Sequence, residues 1–414
     1  MLDLEVIPER ALVGDQWEFV LGMPLAQAIE ILKKQCLTVK RVHLNYNNQI
    51  PLDVDIVLDL TNDGVKLIFD PKAQRLKIIE IYDVKKVKLK YCNKVFNSPQ
   101  VSPTVEKIHD SFGPTLPGQV DTKEQLYLLL FRGILFAFPV WSGSELVPGL
   151  STQSPDLSEL STQRSFILSR VCIFSGNDSK EARAPRLPLE CFHGNCYCDS
   201  VALLRVGGAV TGLSLKLIAD DSHHSKLGDS RPRVLERTVQ FGDTPQDIAS
   251  ALGAPSQHFY KAEDKMRIHS PSPHKLPMAS SSDYFFNYFT LGLDVLFDAV
   301  SNRAKKFVMH SNVPGHYNFN MYYRCDYVLT FPIGEDISGD SQPSQLTVTP
   351  STKWSEVQDY LTTPTDKPVV LNRSSSTNSV NPFGSTYCYG FQNFIFEVMR
   401  NQHIPSVTVY SPPP

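Results

Sequence analysis

The densest group of potential metal ligands in this sequence is the stretch Cys191-Phe-His193-Gly-Asn-Cys196-Tyr-Cys198. Cysteine and histidine are donors that Zn²⁺ prefers, and the stretch holds three cysteines and one histidine. However, it has no paired C-x-x-C element, and no second Cys/His pair lies nearby. We therefore interpret Cys196 and Cys198 as one face of a β-strand that continues into Val201-Ala-Leu-Leu204. The sequence predicts neither a metal site nor a cofactor site.

A cysteine nucleophile is the second chemistry that these residue types would permit. It requires a thiolate beside a positioned imidazole and a backbone oxyanion hole. The eleven histidines and eight cysteines allow many pairs, but none lies in a recognisable nucleophile turn. The sequence also lacks the G-x-S-x-G, Walker A and dinucleotide-binding motifs. We therefore predict a protein that is not an enzyme, with an unrecognised cysteine hydrolase as an alternative.

Two neighbouring segments have the composition of a binding surface. The first is a basic segment interrupted by prolines, whose side chains could meet an anionic headgroup or an acidic partner: Lys265, Arg267, His269, His274 and Lys275. The second is rich in aromatic residues that could anchor a protein interface: Tyr284, Phe285, Phe286, Tyr288 and Phe289. The alternative interpretations are a solvated loop for the first segment and core packing for the second.

Length and charge limit the class of protein. The 414 residues suit two or three domains, and 40 Lys+Arg against 43 Asp+Glu give no general attraction to nucleic acid or to an anionic membrane. The first residues are acidic where a secretory signal would be basic. The longest apolar run, 126–140, is interrupted by Arg132 and Gly133 and is too short to cross a bilayer. These features predict a soluble cytoplasmic protein without its own membrane anchor.

The elements that must position these residues recur along the chain. A short amphipathic helix with a Gly/Pro stop precedes a glycine-led strand and a further strand in four places, with helices at 25–36, 103–111, 243–252 and 354–361. In the first three, a phenylalanine stands five residues after the glycine: Phe69, Phe138 and Phe297. The pattern predicts an α+β fold of repeated units, each a short helix packed on antiparallel β-sheet, in two lobes. The alternative is a chance recurrence.

The expected domains are residues 1–235 and 236–414. The first would hold two helix–sheet units and an inserted β segment at 142–237, and the second would hold the other two units. Ser/Pro/Asn-rich stretches at 265–282, 334–350 and 372–386 are typical of exposed loops.

Several long segments resemble the phagosome assembly factor 1 family. They include Gln16-Trp-Glu-Phe-Val-Leu-Gly-Met-Pro-Leu-Ala-Gln27, Pro314-Gly-His-Tyr-Asn-Phe-Asn320 and Asn381-Pro-Phe-Gly-Ser-Thr386, with further matches at 1–10, 86–92, 265–275, 283–292 and 367–371. The resemblance implies a cytosolic, non-catalytic regulator of autophagy. It also implies a complex with a WD-repeat β-propeller protein of the breast-carcinoma-amplified-sequence type, which gathers at the phagophore, the forming autophagosome.

The sequence and the resemblance together predict a scaffold or adaptor that acts by docking. One sheet edge or aromatic face would bind the propeller, and the joint surface would contact phosphoinositide membranes. The alternative is that the chain itself is a peripheral phosphoinositide-binding protein, through the basic segment defined above.

Overall fold

The chain forms two compact units in the computed structural model, which describes residues 1–140, 166–192, 196–219, 233–261, 282–333, 344–360, 367–372 and 383–411. The first unit comprises Met1–Asn47 and Asp53–Cys191, and the second comprises Asn48–Leu52 and Phe192–Pro414. The division therefore falls near residue 191, whereas the sequence placed it at 235. The reason is that the strands between 196 and 240 pair with strands of the second unit.

The first unit contains a five-stranded sheet in the order β3-β2-β1-β8-β9. Its strands are β1 (Leu2–Ile7), β2 (Ala11–Val13), β3 (Glu18–Val20), β8 (Val87–Tyr91) and β9 (Lys94–Asn97). β1 runs parallel to β8 and antiparallel to its other neighbour, β2. Leu2, Leu4 and Val6 are buried while the residues between them are half-buried, which is the alternation expected of a strand with one face on a core.

The first unit also contains an eight-stranded sheet built from two four-strand meanders. Its order is β10-β11-β12-β13-β7-β6-β5-β4, and β13 joins the meanders by pairing with β7. The first meander is β4 (Val42–Asn45), β5 (Ile56–Leu60), β6 (Val65–Phe69) and β7 (Leu76–Ile81). The second is β10 (Gln119–Asp121), β11 (Leu126–Phe131), β12 (Ile134–Pro139) and β13 (Arg170–Phe174).

The second unit repeats this arrangement with its own strands. Its five-stranded sheet has the order β16-β15-β14-β21-β22, with β14 (Cys196–Val206), β15 (Ala209–Ala219), β16 (Arg233–Gln240), β21 (Tyr327–Ile333) and β22 (Ser344–Val348). Its eight-stranded sheet again consists of two meanders, which are joined by the pairing of β20 with β26. The first meander is β17 (Gln257–Tyr260), β18 (Tyr284–Tyr288), β19 (Leu293–Phe297) and β20 (Ala304–His310). The second is β23 (Val369–Leu371), β24 (Thr386–Phe391), β25 (Phe394–Val398) and β26 (Ser406–Tyr410). The strand orders of the two units correspond one to one, so the topology is duplicated.

The described residues contain four short α-helices, and each directly precedes one of the four meanders. They are α1 (Leu25–Lys34), α2 (Val105–Phe112), α3 (Pro245–Leu252) and α4 (Trp354–Gln358). Two single 3₁₀ turns lie at Val84–Lys86 and Leu189–Cys191. No helix in the described ranges is long and apolar enough to cross a bilayer.

The prediction of an α+β fold is wrong, because the protein is mainly β. The helices have five to ten residues, whereas each unit has a five-stranded and an eight-stranded sheet. Short or exposed strands such as β4, β10 and β17 give no sequence signal, because their residues lack a buried, alternating apolar face. β22 lies within the stretch 334–350, which its composition predicts to be a loop. The sheets, not the helices, therefore define the repeating unit.

α3 shows how local sequence determines an element. Thr244 caps the helix in a reciprocal box, because its hydroxyl accepts from the backbone N–H of Asp247 at 3.2 Å and the Asp247 carboxylate accepts from the backbone N–H of Thr244 at 3.0 Å. Pro245 occupies the first helical position and Gly253 ends the helix. Ile248 is buried in the core of the second unit, and the helix contacts β16 of the five-stranded sheet.

The core of the second unit is dominated by aromatic side chains. The largest fully buried ones are Trp354, Tyr327, Phe297, Phe307, Phe394 and Phe396. Aromatic rings bury the most apolar area per residue, so these side chains contribute strongly to the stability of the unit.

Candidate interaction surface

Strand β17 forms an exposed edge of the eight-stranded sheet in the second unit. All four of its residues are exposed, and Phe259 and Tyr260 have 50% and 65% of their surface accessible. The sequence does not predict this strand, because Gln257-His-Phe-Tyr260 is too short to show a period after the helix stop at Gly253. Its two aromatic residues were the available signal, since large exposed aromatics are uncommon away from interfaces.

β17 and β18 together carry a paired set of rings, which we call the aromatic ladder. In the strand register His258 lies opposite Phe286, Phe259 opposite Phe285, and Tyr260 opposite Tyr284. The ring centroids in these pairs are 4.6, 6.4 and 5.6 Å apart, respectively. Because successive side chains alternate between the faces of a sheet, the ladder extends onto both faces at this edge.

The structure divides the five predicted aromatic residues between the core and the surface. Phe286 and Tyr288 belong to the core, with 8% and 3% of their surface exposed, so a partner cannot contact them. The Tyr288 hydroxyl donates to the carbonyl of Gly253 at 3.1 Å, and burial raises the pKa of this phenol to about 12. Tyr284, Phe285 and Phe289 are half-buried. These three remain candidates for an interface, and β17 adds Phe259 and Tyr260.

The backbone of β17 also presents polar groups away from the sheet. The N–H of Lys261 donates to the carbonyl of Asp283 at 2.9 Å, continuing the register of the strand pair. In an antiparallel pair every second residue bonds to the neighbouring strand, so His258 and Tyr260 direct their backbone N–H and C=O groups outward. In the described ranges no strand pairs with β17 on that side. The edge is therefore open to an additional strand.

A buried polar network stabilises the neighbouring part of the sheet. The Asp294 carboxylate accepts from the Asn287 amide at 2.7 Å and from the Tyr322 hydroxyl at 2.9 Å, and it contacts the His310 imidazole at 2.8 Å. The rings of His310 and Tyr322 stack with centroids 3.8 Å apart.

This network has the features of a structural group. Burial, and then the negative charge of Asp294, raise the pKa of the Tyr322 phenol. Asn287, Asp294, His310 and Tyr322 are each more than nine-tenths buried, and they satisfy one another by hydrogen bonds. We therefore infer that these four side chains hold β18, β19 and the segment after β20 together. Phe289 contacts the same cluster edge-on through Tyr322.

The predicted basic residues Lys265, Arg267, His269, His274 and Lys275 lie outside the described residues. The segment that holds them connects β17 to β18, because β17 ends at Tyr260 and β18 begins at Tyr284. On β20, burial lowers the pKa of the Lys306 ammonium, and the positive charges of Lys261 and Lys305 lower it further. Lys305 forms ion pairs with Asp283 and Asp298, so the described residues at this end of the sheet carry charges of both signs.

The cysteine stretch divides between the two units. Cys191 belongs to the first unit, whereas Cys196 and Cys198 lie on β14 of the second, as predicted for a strand, and His193 lies outside the described residues. Burial raises the pKa of the Cys191 and Cys198 thiols to about 12, which is opposite to the shift that a nucleophilic cysteine requires. Over the described ranges no group of His, Cys, Asp and Glu side chains could hold a metal ion.

The fold and the site thus define a two-unit, mainly β protein whose candidate site is an exposed strand edge with accessible aromatic side chains. The chain belongs to the phagosome assembly factor 1 family, whose sequence pattern matches residues 15–410, and the resemblance noted above is confirmed. A PHAF1 protein of Drosophila melanogaster is 46% identical over 423 residues, covering 100% of this chain and 95% of the relative.

More distant relatives match over nearly the same length. A PHAF1 protein of Caenorhabditis elegans is 32% identical and covers 98% of this chain and 93% of its own length. One of Arabidopsis thaliana is 33% identical and covers 95% and 90%, respectively. No solved structure matches the chain. Membership of this family supports a role related to autophagy or to phagosome assembly, and the family name describes an assembly factor and no enzymatic reaction.

Proposed function

We propose that this chain is a non-catalytic regulatory subunit of an autophagy complex. Its aromatic ladder and the open edge of β17 would bind a WD-repeat β-propeller protein of the breast-carcinoma-amplified-sequence type. The complex would associate with the phagophore and with its phosphoinositides through the joint surface. The observation that supports this proposal is the exposure of Phe259 and Tyr260 on β17. Among the described residues, β17 pairs with a strand on one side and has no strand on the other.

The energetics favour a protein partner at this edge. Fully burying an aromatic side chain contributes about 1.5–3 kcal/mol, so Phe259 and Tyr260 could supply a large part of a binding free energy. The outward backbone groups of His258 and Tyr260 could pair with a further strand. A β-propeller is built of four-stranded blades, which leave short strand edges and loops at its surface. The half-buried Phe285 would extend the contact onto one face of the sheet.

The test is co-purification from starved cells. We expect the double variant Phe259→Ser, Tyr260→Ser to lose most of the associated propeller, because it removes the exposed rings and keeps the strand. The matched control is Val370→Ser on β23, at the opposite edge of the same sheet, where the side chain is 56% exposed. Equal recovery of the propeller with the double variant and with wild type would rule out this surface as the binding site.

Recruitment can be tested separately from binding. A fluorescent fusion of the full chain is expected to form phagophore puncta in starved cells, and the double variant should remain diffuse. Liposome flotation of the isolated chain, with and without the propeller, then examines lipid contact. Flotation of the chain alone on phosphoinositide vesicles would favour direct lipid binding and contradict a joint surface.

A further inference from the structure

A second open strand edge lies in the five-stranded sheet of the second unit, at β22. β22 pairs with β21 on one side, and in the described part of the chain no strand pairs with its other side. A groove of about 770 Å³ runs along this open side. Its strand wall is Gln345, Leu346 and Thr347, and its helical wall comes from α4 and the turn after it: Glu356, Asp359 and Tyr360.

The backbone groups that face this groove follow from the register. The carbonyl of Thr330 on β21 accepts from Arg205 on β14 at 2.9 Å, so Thr330 directs its backbone groups toward β14. Thr330 lies opposite Thr347, and this pair therefore does not exchange hydrogen bonds. Thr347 and, two residues earlier, Gln345 consequently direct their N–H and C=O groups into the groove. Both side chains are exposed, whereas Leu346 between them is buried.

The open edge ends at a defined point. The N–H of Thr349 is the next one that would face the groove, but it donates to the Thr352 hydroxyl at 2.9 Å. Among the described residues, an incoming strand would therefore pair with Gln345 and Thr347. A segment of about five residues is sufficient for that, since a strand advances by about 3.3 Å per residue.

The helical wall of the groove is acidic. Glu356 and Asp359 are both exposed, and within the described ranges neither forms an ion pair. Tyr360 stands beside them with 52% of its surface accessible, so its ring can contact a cation or an aliphatic stem. Backbone pairing on one wall with carboxylates on the other is complementary to an extended peptide that carries Lys or Arg. A small anionic ligand or a nucleic acid would be repelled.

We infer that the β22 groove binds an extended, basic segment of another protein by strand addition. This site lies on a different sheet from the aromatic ladder, so it would allow the chain to hold two protein segments at once. Backbone pairing with Gln345 and Thr347 supplies the alignment. The carboxylates of Glu356 and Asp359 select for positive charge, and this part of the binding weakens as salt rises.

The experiment uses the full chain and a fluorescein-labelled probe peptide, Val-Lys-Val-Lys-Val-Lys, in a fluorescence anisotropy titration at low salt. A peptide with Glu in place of Lys tests the charge preference. A Val-Lys-Pro-Lys-Val-Lys peptide, which lacks one backbone donor, tests strand addition. We expect the basic probe to bind, and each of the other two to bind at least about fivefold more weakly. Failure of the basic probe to bind at low salt, or equal binding of the acidic peptide, would overturn the proposal.

Variants then locate the site. Thr347→Pro removes one N–H that faces the groove. It leaves the hydrogen bonds between β22 and β21 intact, and edge strands accept proline, so we expect the variant to fold. We expect it to weaken probe binding about tenfold, the effect of losing roughly 1.4 kcal/mol. The double variant Glu356→Gln, Asp359→Asn should weaken binding by a similar factor and reduce its salt dependence. If the Thr347→Pro variant does not fold, the probe affinity of this double variant alone tests the proposal.

Two controls separate this site from the aromatic ladder. Glu236→Gln neutralises an exposed acid on β16, the opposite edge of the same sheet, and should leave probe binding unchanged. His258→Pro disturbs the open edge of β17 and should reduce propeller co-purification without affecting the probe. Unchanged probe affinity in both the Thr347 and the Glu356/Asp359 variants would overturn this inference, whatever the result for the propeller.

Discussion

Tyr82 and His310 occupy the same position in the two duplicated units. Tyr82 directly follows β7 and His310 is the last residue of β20, the fourth strands of their meanders. Each donates its backbone N–H at 2.9 Å to the carbonyl of a glycine in the hairpin between the second and third strands, Gly64 for Tyr82 and Gly292 for His310. Their side chains have diverged. The Tyr82 hydroxyl donates to a half-buried carboxylate, Asp59, at 3.0 Å, whereas the His310 imidazole contacts the buried carboxylate of Asp294 at 2.8 Å. The duplicated backbone thus supports a polar network that is buried in the second unit only.

That difference in burial predicts different costs for the same substitution in the two units. Asp294→Asn would place an amide N–H₂ among groups that now donate to the carboxylate, and we expect a loss of about 2–4 kcal/mol in the free energy of unfolding. Asp59→Asn is the matched control, and it should cost about 1 kcal/mol or less because water can compensate. Urea denaturation of both variants measures the difference. Equal destabilisation would mean that the Asp294 network does not stabilise the second unit.

Gly292 should tolerate a methyl group less well than a glycine of similar backbone conformation. Its φ is +65°, and a Cβ at this position would overlap the carbonyl oxygen of Tyr323. Gly242 has φ of +87° but no heavy atom within 4 Å of the corresponding Cβ, so Gly242→Ala tests conformational strain alone. We expect about 1 kcal/mol of destabilisation for Gly242→Ala and about 1–3 kcal/mol more for Gly292→Ala. Thermal unfolding of the two variants provides the comparison. Similar melting temperatures would contradict the close packing inferred at Gly292.

The Asp298 turn should stabilise the protein in a pH-dependent way. Its carboxylate accepts from the N–H of Ser301 at 2.9 Å and from the Lys305 ammonium at 3.2 Å, and these bonds hold its pKa well below the ordinary value of 3.8. Because the folded pKa is lowered, the stabilisation is present above pH 3.8 and is lost as the pH falls below it.

We therefore expect Asp298→Asn to cost about 1 kcal/mol at neutral pH, a value reduced for the partial exposure of the carboxylate. The difference from wild type should diminish as the pH falls below about 4, because the Asp298 carboxylate of the unfolded wild-type chain is then increasingly protonated while that of the folded chain stays ionised. Urea denaturation between pH 3 and pH 7 measures this difference, and Asp53→Asn at an exposed position serves as the control. A cost that does not change with pH would show that the Asp298 charge is not responsible.

The thiols should differ in reactivity according to burial. Cys36 and Cys92 are exposed, whereas Cys172 and Cys325 are buried, and burial raises the pKa of Cys172 to about 12 and that of Cys325 well above its usual range. We expect iodoacetamide at neutral pH to label the exposed pair first, followed by the buried ones only after denaturation. Peptide mass spectrometry after timed quenching measures each site. Rapid labelling of a buried thiol in the folded chain would revive the hypothesis of a cysteine hydrolase.

Several features of the fold could be predicted because they depend on neighbours in the chain. The helix predicted at 243–252 and the strand predicted at Cys196 and Cys198 follow from side chains that act on their own backbone or alternate with a fixed period. The fold class could not be predicted in the same way. Edge strands such as β17 and β22 give little sequence signal, since all four residues of β17 are exposed and the described side chains of β22 include only two buried apolar residues, Leu346 and Val348.

The sequence by itself determined the family, the four short helices and the segments where aromatic and basic residues concentrate, because these depend on residue identity and local spacing. Only the tertiary structure decided which aromatic rings remain accessible. Phe286 and Tyr288 face the core while Phe259 and Tyr260 stay exposed, and this depends on how β17 and β18 pair and on what packs against each face. The same holds for the β22 groove, whose walls come from a strand and a helix brought together by the fold. Burial and open strand edges are properties of the packed chain, since they depend on which distant segments lie against each residue.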